Sequence, residues 1–491
     1  MPSFIISSSS ISSSTLNLLS DLNAFIVIED GVTVANTTTT GIRGAGGFQL
    51  FLIDGNLITV GSGLISDGDY ATVSVSGQFN NGGAGILTTG DDSRITVSGE
   101  VTANGDGIVS RGDGAEILVT QTGVVQGDQR GVELGSIFSI RVEDLQRLTN
   151  EGTIAGTISG VAVFRDATIV NSGLITNTGA TETTALHGAI VLEDDTDISA
   201  RIINTGDIIG TGVVNTLGGV DDPVAIVAEL DNRLSIDVTN SGLIRGNIIA
   251  AEIEDKIVNT GQIIGDVDLG DGNDLLRNSG DGMVVGVVEG QGGQDTLIGG
   301  DREDTFNGGS DNDLINGKGG NDRLRAGGGD DTVFGGAGDD ELFGQNGKNV
   351  LSGQGGNDVI NGGIGSDRLL GGNGDDTLTA GEGADILRGD AGADVFVFSN
   401  VGETGAGATR DRILGWEDGA DLIDLSGFGA LEFSASGAVG GGTASVWFDA
   451  VSGGTQTMLR IDADGNGSVD GQVLLVHADP ALFDQNDLIL G

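Results

Sequence analysis

Between Gly290 and Val397 the chain repeats every nine residues, twelve times over, with no insertion or deletion. GKGGNDRLR, GGAGDDELF and GGNGDDTLT are typical units: a glycine-rich first half, a carboxylate at the sixth place and a large apolar residue at the eighth. The sixth place holds Asp295, Asp304, Asp313, Asp322, Asp331, Asp340, Asn349, Asp358, Asp367, Asp376, Asp385 and Asp394. The eighth holds Leu297, Phe306, Ile315, Leu324, Val333, Leu342, Leu351, Ile360, Leu369, Leu378, Leu387 and Phe396. Glycine at the first, second and fourth places permits the left-handed angles of a tight loop and lets neighbouring loops approach closely. The residues after each loop suffice for a short strand with one side chain inward, so two units close a coil and successive coils stack.

Stacking sets each sixth-place carboxylate against carbonyl oxygens of adjacent loops. That donor set suits a hard, oxygen-seeking cation, and calcium is the natural occupant. One buried apolar side chain per nine ordered residues does not offset the conformational entropy lost, and the gathered aspartates repel. The block is therefore expected to be disordered without calcium and to fold on binding it.

The rest of the 491 residues shares the acidity. There are 72 acidic residues against 22 basic, a net charge of −50. The excess is −23 over 1–268, −16 over 269–397 and −11 over 398–491. Such a surface repels nucleic acid and anionic lipid and gathers divalent cations. Cysteine is absent, so neither disulfides nor a thiol nucleophile enter. No apolar run reaches the length of a membrane span. No lysine or arginine precedes Arg43, so the charged region of a secretory signal peptide is missing.

From about Phe25 to Val267 short β-branched runs alternate with Gly, Asn, Thr and Asp. Glycine followed two places later by an apolar residue recurs at Gly55, Gly77, Gly99, Gly123, Gly152, Gly173, Gly206, Gly242 and Gly261. Five of these belong to an Asn-x-Gly-x-Ile motif that begins at Asn150, Asn171, Asn204, Asn240 and Asn259. A strand-rich repeat of about 20 residues is one coil of a parallel β-solenoid, and asparagines at matching corners are expected to stack their amides in a ladder. The two widest separations read as loops thrown out at about 178–200 and 211–235, both acidic. Only 139–148 has a helical pattern. A string of β-sandwiches is the rival architecture, but sandwiches carry no motif at coil length.

The fold class is all-β: a parallel β-solenoid (β-helix) continuing into a calcium-binding β-roll, with a small C-terminal β cap. Residues 1–28 read as an N-terminal strand segment, either cap or assembly edge. The solenoid covers 29–268. The roll covers 269–397 and opens with Asp274 in LGDGNDLLR, and the cap covers 398–491 with Trp416 and Trp447. In the cap, Asp462, Asp464, Asn466, Ser468 and Asp470 are spaced like the start of an EF-hand loop. Val473 stands where that loop needs glutamate, so a polar hairpin turn competes with a calcium site there.

The nonapeptides, together with FVFSNVGETGAGATRDRILGWEDGADLIDLSGF and the terminal DLIL, resemble the C-terminal half of RTX (hemolysin-type calcium-binding repeat) proteins exported by bacterial type I secretion, serralysin-like proteases among them. The resemblance covers about 269–491 and leaves 1–268 unmatched. It implies an uncleaved secretion signal near the C-terminus, engagement of the type I secretion machinery, export unfolded and folding in extracellular calcium. The location it implies is extracellular or on a bacterial cell surface. No HExxH is present, which excludes the protease.

The layout is also similar to that of secreted alginate epimerases, so a β-helix polysaccharide epimerase or lyase is the alternative. Its chemistry would fall on Tyr70, His187 or His477, and residues 1–268 offer no tryptophan as a sugar platform. Arg111-Gly112-Asp113 is too short to specify adhesion, and Thr37–Thr40 lack the alternation of a flat threonine array. The reading is a secreted calcium-binding structural protein, of surface-layer, biofilm-matrix or adhesin type, without catalytic residues. Residues 3–28, with no proline or lysine to protect a strand edge, are expected to pair with another copy into filaments or sheets.

Overall fold

The computed structural model describes residues 24–491 except 37–41, 45–48, 136–145, 165, 179–187, 194–197, 212–222, 229–233, 406–408, 435–436, 438–441, 452–455, 477 and 479–482; before residue 24 it describes the strands Ser3–Ile6, Ser10–Ser12 and Leu16–Leu18. Nearly every described element is a strand, and helical geometry is confined to short 3-10 turns such as Val401–Glu403. The chain divides into two compact units, residues 1–270 with 284–286, and residues 271–283 with 287–491.

The first unit is a parallel β-solenoid with three strands per coil. One coil is Thr72–Val75, Gln78–Asn81 and Ile86–Thr88, and the next is Arg94–Val97, Glu100–Ala103 and Ile108–Ser110. Parallel in-register pairing places Val73 on Ile95, Phe79 on Val101 and Ile86 on Ile108. Alternation along each short strand turns these residues inward, where they are buried in columns running from coil to coil. In the first sheet one column reads Phe51, Val73, Ile95, Ile117, Leu148, Ile169, Ile202, Val238 and Ile257. The glycines of the 20-residue repeat lie at one corner, where coils approach so closely that a methyl group on Gly77 would strike the Gly55 carbonyl, and one on Gly99 the Gly77 carbonyl. This stacking rules out the sandwich architecture.

Two sequence expectations change. The span 178–200 is not a single excursion, because Gly188–Leu192 is a strand of the third sheet, on Ser159–Val163. Val224–Ala228 within 211–235 is likewise a strand, on Gly188–Leu192. The extra residues lie on either side of these strands, and EDDTD at 193–197 falls almost wholly outside the described residues. Of the helical candidate 139–148, residues 146–148 belong to the strand Gln146–Asn150, where Leu148 takes its place in the core column. The remainder lies outside the described residues, as do Thr37–Thr40. The N-terminal strands Ser3–Ile6, Ser10–Ser12 and Leu16–Leu18 are a coil, one strand in each sheet, paired with Ala24–Ile28, Thr33–Asn36 and Ile42–Gly44. Among the described residues nothing pairs with their outer edge.

The second unit opens as a two-sided β-roll with an 18-residue coil. One side stacks Thr296–Ile298, Leu314–Gly319, Thr332–Ala337, Val350–Gly355, Arg368–Asn373 and Ile386–Ala391. The other stacks Thr305–Ser310, Arg323–Gly328, Glu341–Asn346, Val359–Gly365, Thr377–Gly383 and Val395–Val397. All twelve eighth-place residues are fully buried between the two sides.

The cap extends both sides. Asp411–Leu414 adds to Ile386–Ala391, and Leu422–Asp424 adds to Val395–Val397. Gly471–Val476 then pairs with Asp411–Leu414 and is followed antiparallel by Gln456–Asp462 and Ser445–Val451. Apolar closure comes from a run of aromatic rings: Phe396 on Trp416 at 6.1 Å, Trp416 on Phe483 at 5.1 Å, and Phe483 on Phe448 at 4.7 Å between centroids.

Candidate metal centre

Each nonapeptide puts its loop at a corner of the roll, and left-handed angles fall at the fourth place, as on Gly320, Gly338, Gly356 and Gly374 with φ between 112° and 128°, and at the second place, there also on Lys318, Gln345 and Gln354, but on none of the first-place glycines. The sixth-place residues, just before the strands, form two buried columns, one on each flank of the roll. On one flank the Oδ1 of each accepts the backbone N–H of its counterpart a coil earlier: Asp295 N–H to Asp313, Asp313 to Asp331, Asp331 to Asn349, Asn349 to Asp367, Asp367 to Asp385, all at 2.7–3.0 Å. The opposite flank runs from Asp304 through Asp322, Asp340, Asp358 and Asp376 to Asp394 in the same way. Asp274 stands one step before Asp295 and donates its N–H to that carboxylate.

The second carboxylate oxygen is different. Oδ2 of Asp295, Asp313, Asp322, Asp331, Asp340, Asp358, Asp367, Asp376 and Asp394 is buried and has no hydrogen-bond partner. In the loops that begin with glycine it lies over that first-place glycine, and short of the last loop it lies beside the first-place carbonyl one coil on: a methyl group on Gly317 would strike Asp322 Oδ2 and approach the Gly335 carbonyl. The loop of Asp331 begins with Ala326 instead. A buried anionic oxygen with no donor is costly, and the cost shows in the ionisation. Burial pushes Asp295, Asp313, Asp322, Asp367 and Asp376 up to about 7, and Asp340 and Asp358 to about 6. Burial also raises Asp331 and Asp394. Converging carboxylate and carbonyl oxygens are the donor set of a hard divalent cation, and the residues fit calcium. When bound, calcium supplies the positive charge these oxygens lack and ties successive coils together.

Two ladder members went unnoticed in the sequence. Asp411 accepts the N–H of Asp385 at 2.7 Å, and Asp421 accepts that of Asp394 at 3.2 Å. Both are buried and end the two columns inside the cap. Burial, then the neighbouring Asp385 carboxylate, raises Asp411. Asp421 is closed off, because its Oδ2 accepts Glu417 N–H at 2.7 Å. Their signal was present: Asp411-Arg412-Ile413 and Asp421-Leu422-Ile423 keep the Asp-x-apolar spacing of the nonapeptides.

In the cap turn between Gln456–Asp462 and Gly471–Val476, carboxylate oxygens of Asp462, Asp464 and Asp470 lie within 4.8 Å of one another. All three are engaged with the turn itself: Asp462 accepts the N–H groups of Asn466 and Gly467, Asp464 accepts from Asn466, and Asp470 accepts from Ala463. Asn466 is also spent within the turn, accepting Ser468 N–H and donating its amide to Asp464. No helix flanks it, and the arrangement is a polar hairpin turn.

Of the residues considered for catalysis, His187 and His477 lie outside the described residues, and Tyr70 is 49% exposed at a corner with φ of 60°. A charged group on the solenoid joins Glu133 to Arg130 at 3.1 Å and Arg130 to Glu193 at 3.2 Å, with Arg111 at 3.8 Å from Glu133. Burial raises Glu133, as it does Asp106, which accepts the Arg130 N–H. Among the described residues no helix is long and apolar enough to cross a membrane.

The model of the family described as RTX calcium-binding nonapeptide repeat (4 copies) matches residues 289–324, 316–351, 325–360, 335–369, 343–378 and 361–396. These segments are RTX repeats, and the N-terminal half has no family match. No curated protein matches the chain. Among solved structures, the AlgE6R2 subunit of the Azotobacter vinelandii mannuronan C5-epimerase is 27% identical over 32% of this chain and 90% of its own, with a TM-score of 0.20. The AlgE6R3 subunit of the same enzyme is 25% identical over 37% of this chain and 80% of its own, with a TM-score of 0.19.

Proposed function

We propose that this chain is a secreted calcium-dependent structural protein that folds and self-associates outside the bacterial cell, in a surface layer, a matrix or an adhesive coat. The observation that carries the reading is the double column of buried sixth-place carboxylates whose second oxygens have no protein donor. Such columns call for many divalent ions at once, and sites of this kind suit the millimolar calcium outside cells. An export-before-folding route by type I secretion fits, because the roll lacks cohesion wherever calcium is scarce. Asp462, Asp464, Asn466 and Asp470 are a further, weaker calcium candidate, since their oxygens already serve the turn.

Self-association falls on the N-terminal coil. Its three strands present unpaired outer edges among the described residues, and an open edge is a template for a second chain. Electron microscopy of the full chain with millimolar calcium and with EGTA tests this: calcium should give filaments or sheets, and dispersed monomers in both conditions would defeat assembly. A second reading, a polysaccharide epimerase or lyase, is favoured by one observation, the buried Glu133 carboxyl flanked by Arg111 and Arg130. Turnover of alginate or pectin by the wild type, abolished in Glu133→Gln, would replace the structural reading.

A further inference from the structure

Two loops of the roll put protein nitrogen where the others leave an oxygen uncovered. The first is GGDREDTFN, residues 299–307. Its fourth place is Arg302 and not glycine, and Arg302 is not among the residues with left-handed backbone. Asp304 here has both oxygens engaged: Oδ2 accepts Gly300 N–H at 2.8 Å, and Oδ1 accepts the Asn278 amide at 3.4 Å. No nonapeptide precedes this loop on its flank, so the Gly299 carbonyl has no sixth-place carboxylate a coil earlier to face. Lys318 fills the gap. Its ammonium donates to the Gly299 carbonyl at 2.9 Å and to the Asn278 carbonyl at 3.2 Å. Its charge also acts on Asp304, lowering a carboxyl that burial otherwise raises.

The second is GQNGKNVLS, residues 344–352, on the opposite flank. Asn349 keeps the ladder bond, its Oδ1 accepting Asp331 N–H at 3.0 Å. Its Nδ2 therefore takes the position of the orphan carboxylate oxygen, over Gly344 and beside the Gly362 carbonyl. Rotating the amide does not help, because the NH2 group would then face the Asp331 N–H, donor against donor. Asn349 can satisfy the ladder or offer an oxygen to a cation, but not both.

We propose that the roll takes no metal ion at these two of its twelve loops: the Lys318 ammonium serves as a built-in cation beside Asp304, and the Asn349 amide interrupts the opposite column between Asp331 and Asp367. This rests on the calcium reading above. Ion binding is then continuous along the flank from Asp322 to Asp394 and split into two blocks on the other.

Crystals of the full chain grown in calcium test this directly. Anomalous difference density is expected beside Asp322, Asp340, Asp358 and Asp376, and absent beside Asn349, beside Asp304 and at the Lys318 ammonium. A peak at any of those three places overturns the inference. Density at no loop would instead defeat the calcium reading itself, and the inference with it. Native mass spectrometry of the calcium-loaded chain supplies the count: Asn349→Asp should gain one ion, Lys318→Met should gain one, and Lys318→Arg should keep the wild-type number. An unchanged count in Asn349→Asp overturns the interruption, and an unchanged count in Lys318→Met overturns the ammonium's role.

Discussion

Both units of this protein run a column of polar side chains through a buried corner, and the two columns are built on opposite chemistry. In the solenoid the inward position before the corner is apolar for five coils, as Ile28, Ile53, Val75, Val97 and Val119. It then becomes Asn150, Asn171, Asn204, Asn240 and Asn259. Each of the first four amides donates to the Oδ1 of the next asparagine at 2.8 Å. An amide carries donors and acceptors together, so a stack of amides satisfies itself. In the roll the corner residue is aspartate, which when ionised only accepts. One oxygen is served by the neighbouring backbone and the other is left without a donor. The asparagine ladder closes its own hydrogen bonds, while the aspartate columns leave a buried oxygen without a donor at nearly every step.

The strongest test of that contrast is removal of calcium. Hydrogen exchange of the full chain in EGTA should show amides of 290–397 exchanging within seconds, while amides of 72–119 stay protected for hours. Readdition of millimolar calcium should restore protection in the roll alone. Equal protection of both regions in EGTA would show that the roll coheres without metal.

Acid should do part of what calcium does. The ordinary aspartate value is 3.8, and burial raises Asp295, Asp313, Asp322, Asp367 and Asp376 to about 7 in the folded roll. A carboxyl whose pKa is higher folded than unfolded holds its proton more tightly in the folded state. Without metal, the roll therefore gains stability as the pH falls through about 7, and the gain is complete below the unfolded value of about 4. Circular dichroism in chelator should show β-signal rising from pH 8 to pH 5. In calcium the same acidification should weaken ion binding, since protons compete for the oxygens. A chelated sample indifferent to pH over that range would mean that the carboxylates are not what holds the roll open.

What the sequence disclosed and what it hid follow from one distinction. A fixed period exposes any residue that must stand on its own copy, so the sixth-place aspartates, the eighth-place core residues and the corner asparagines were all legible. Asp411 and Asp421 escaped because they sit 26 and 27 residues after the ladder member they follow, where every step between residues 295 and 394 is 18. The strands Gly188–Leu192 and Val224–Ala228 were hidden by extra residues on both sides of them. Asn349 was legible as a position and not as a direction: only the ladder bond to Asp331 fixes which end of its amide faces the loop.

The smallest effect sharpens the comparison from the solenoid side. Asn204 sits mid-ladder, taking the amide of Asn171 and giving its own to Asn240 and to the Gly206 carbonyl at 3.0 Å. Asn204→Ala removes these bonds and leaves a buried acceptor on Asn240 and a buried donor on Asn171 short of a partner, which costs about 1–3 kcal/mol. Each neighbour keeps a local bond, Asn171 to the Gly173 carbonyl and Asn240 from Gly242 N–H, which holds the loss toward the lower end. Asn204→Val would refill the volume, as Val97 and Val119 do earlier in the column, but would leave the same two groups short. Both variants should lower the urea midpoint of the solenoid by the same amount in calcium and in EGTA, read from exchange of peptides around 200–210. A loss that appeared only on chelation would tie the asparagine ladder to the metal and remove the distinction between the two corners.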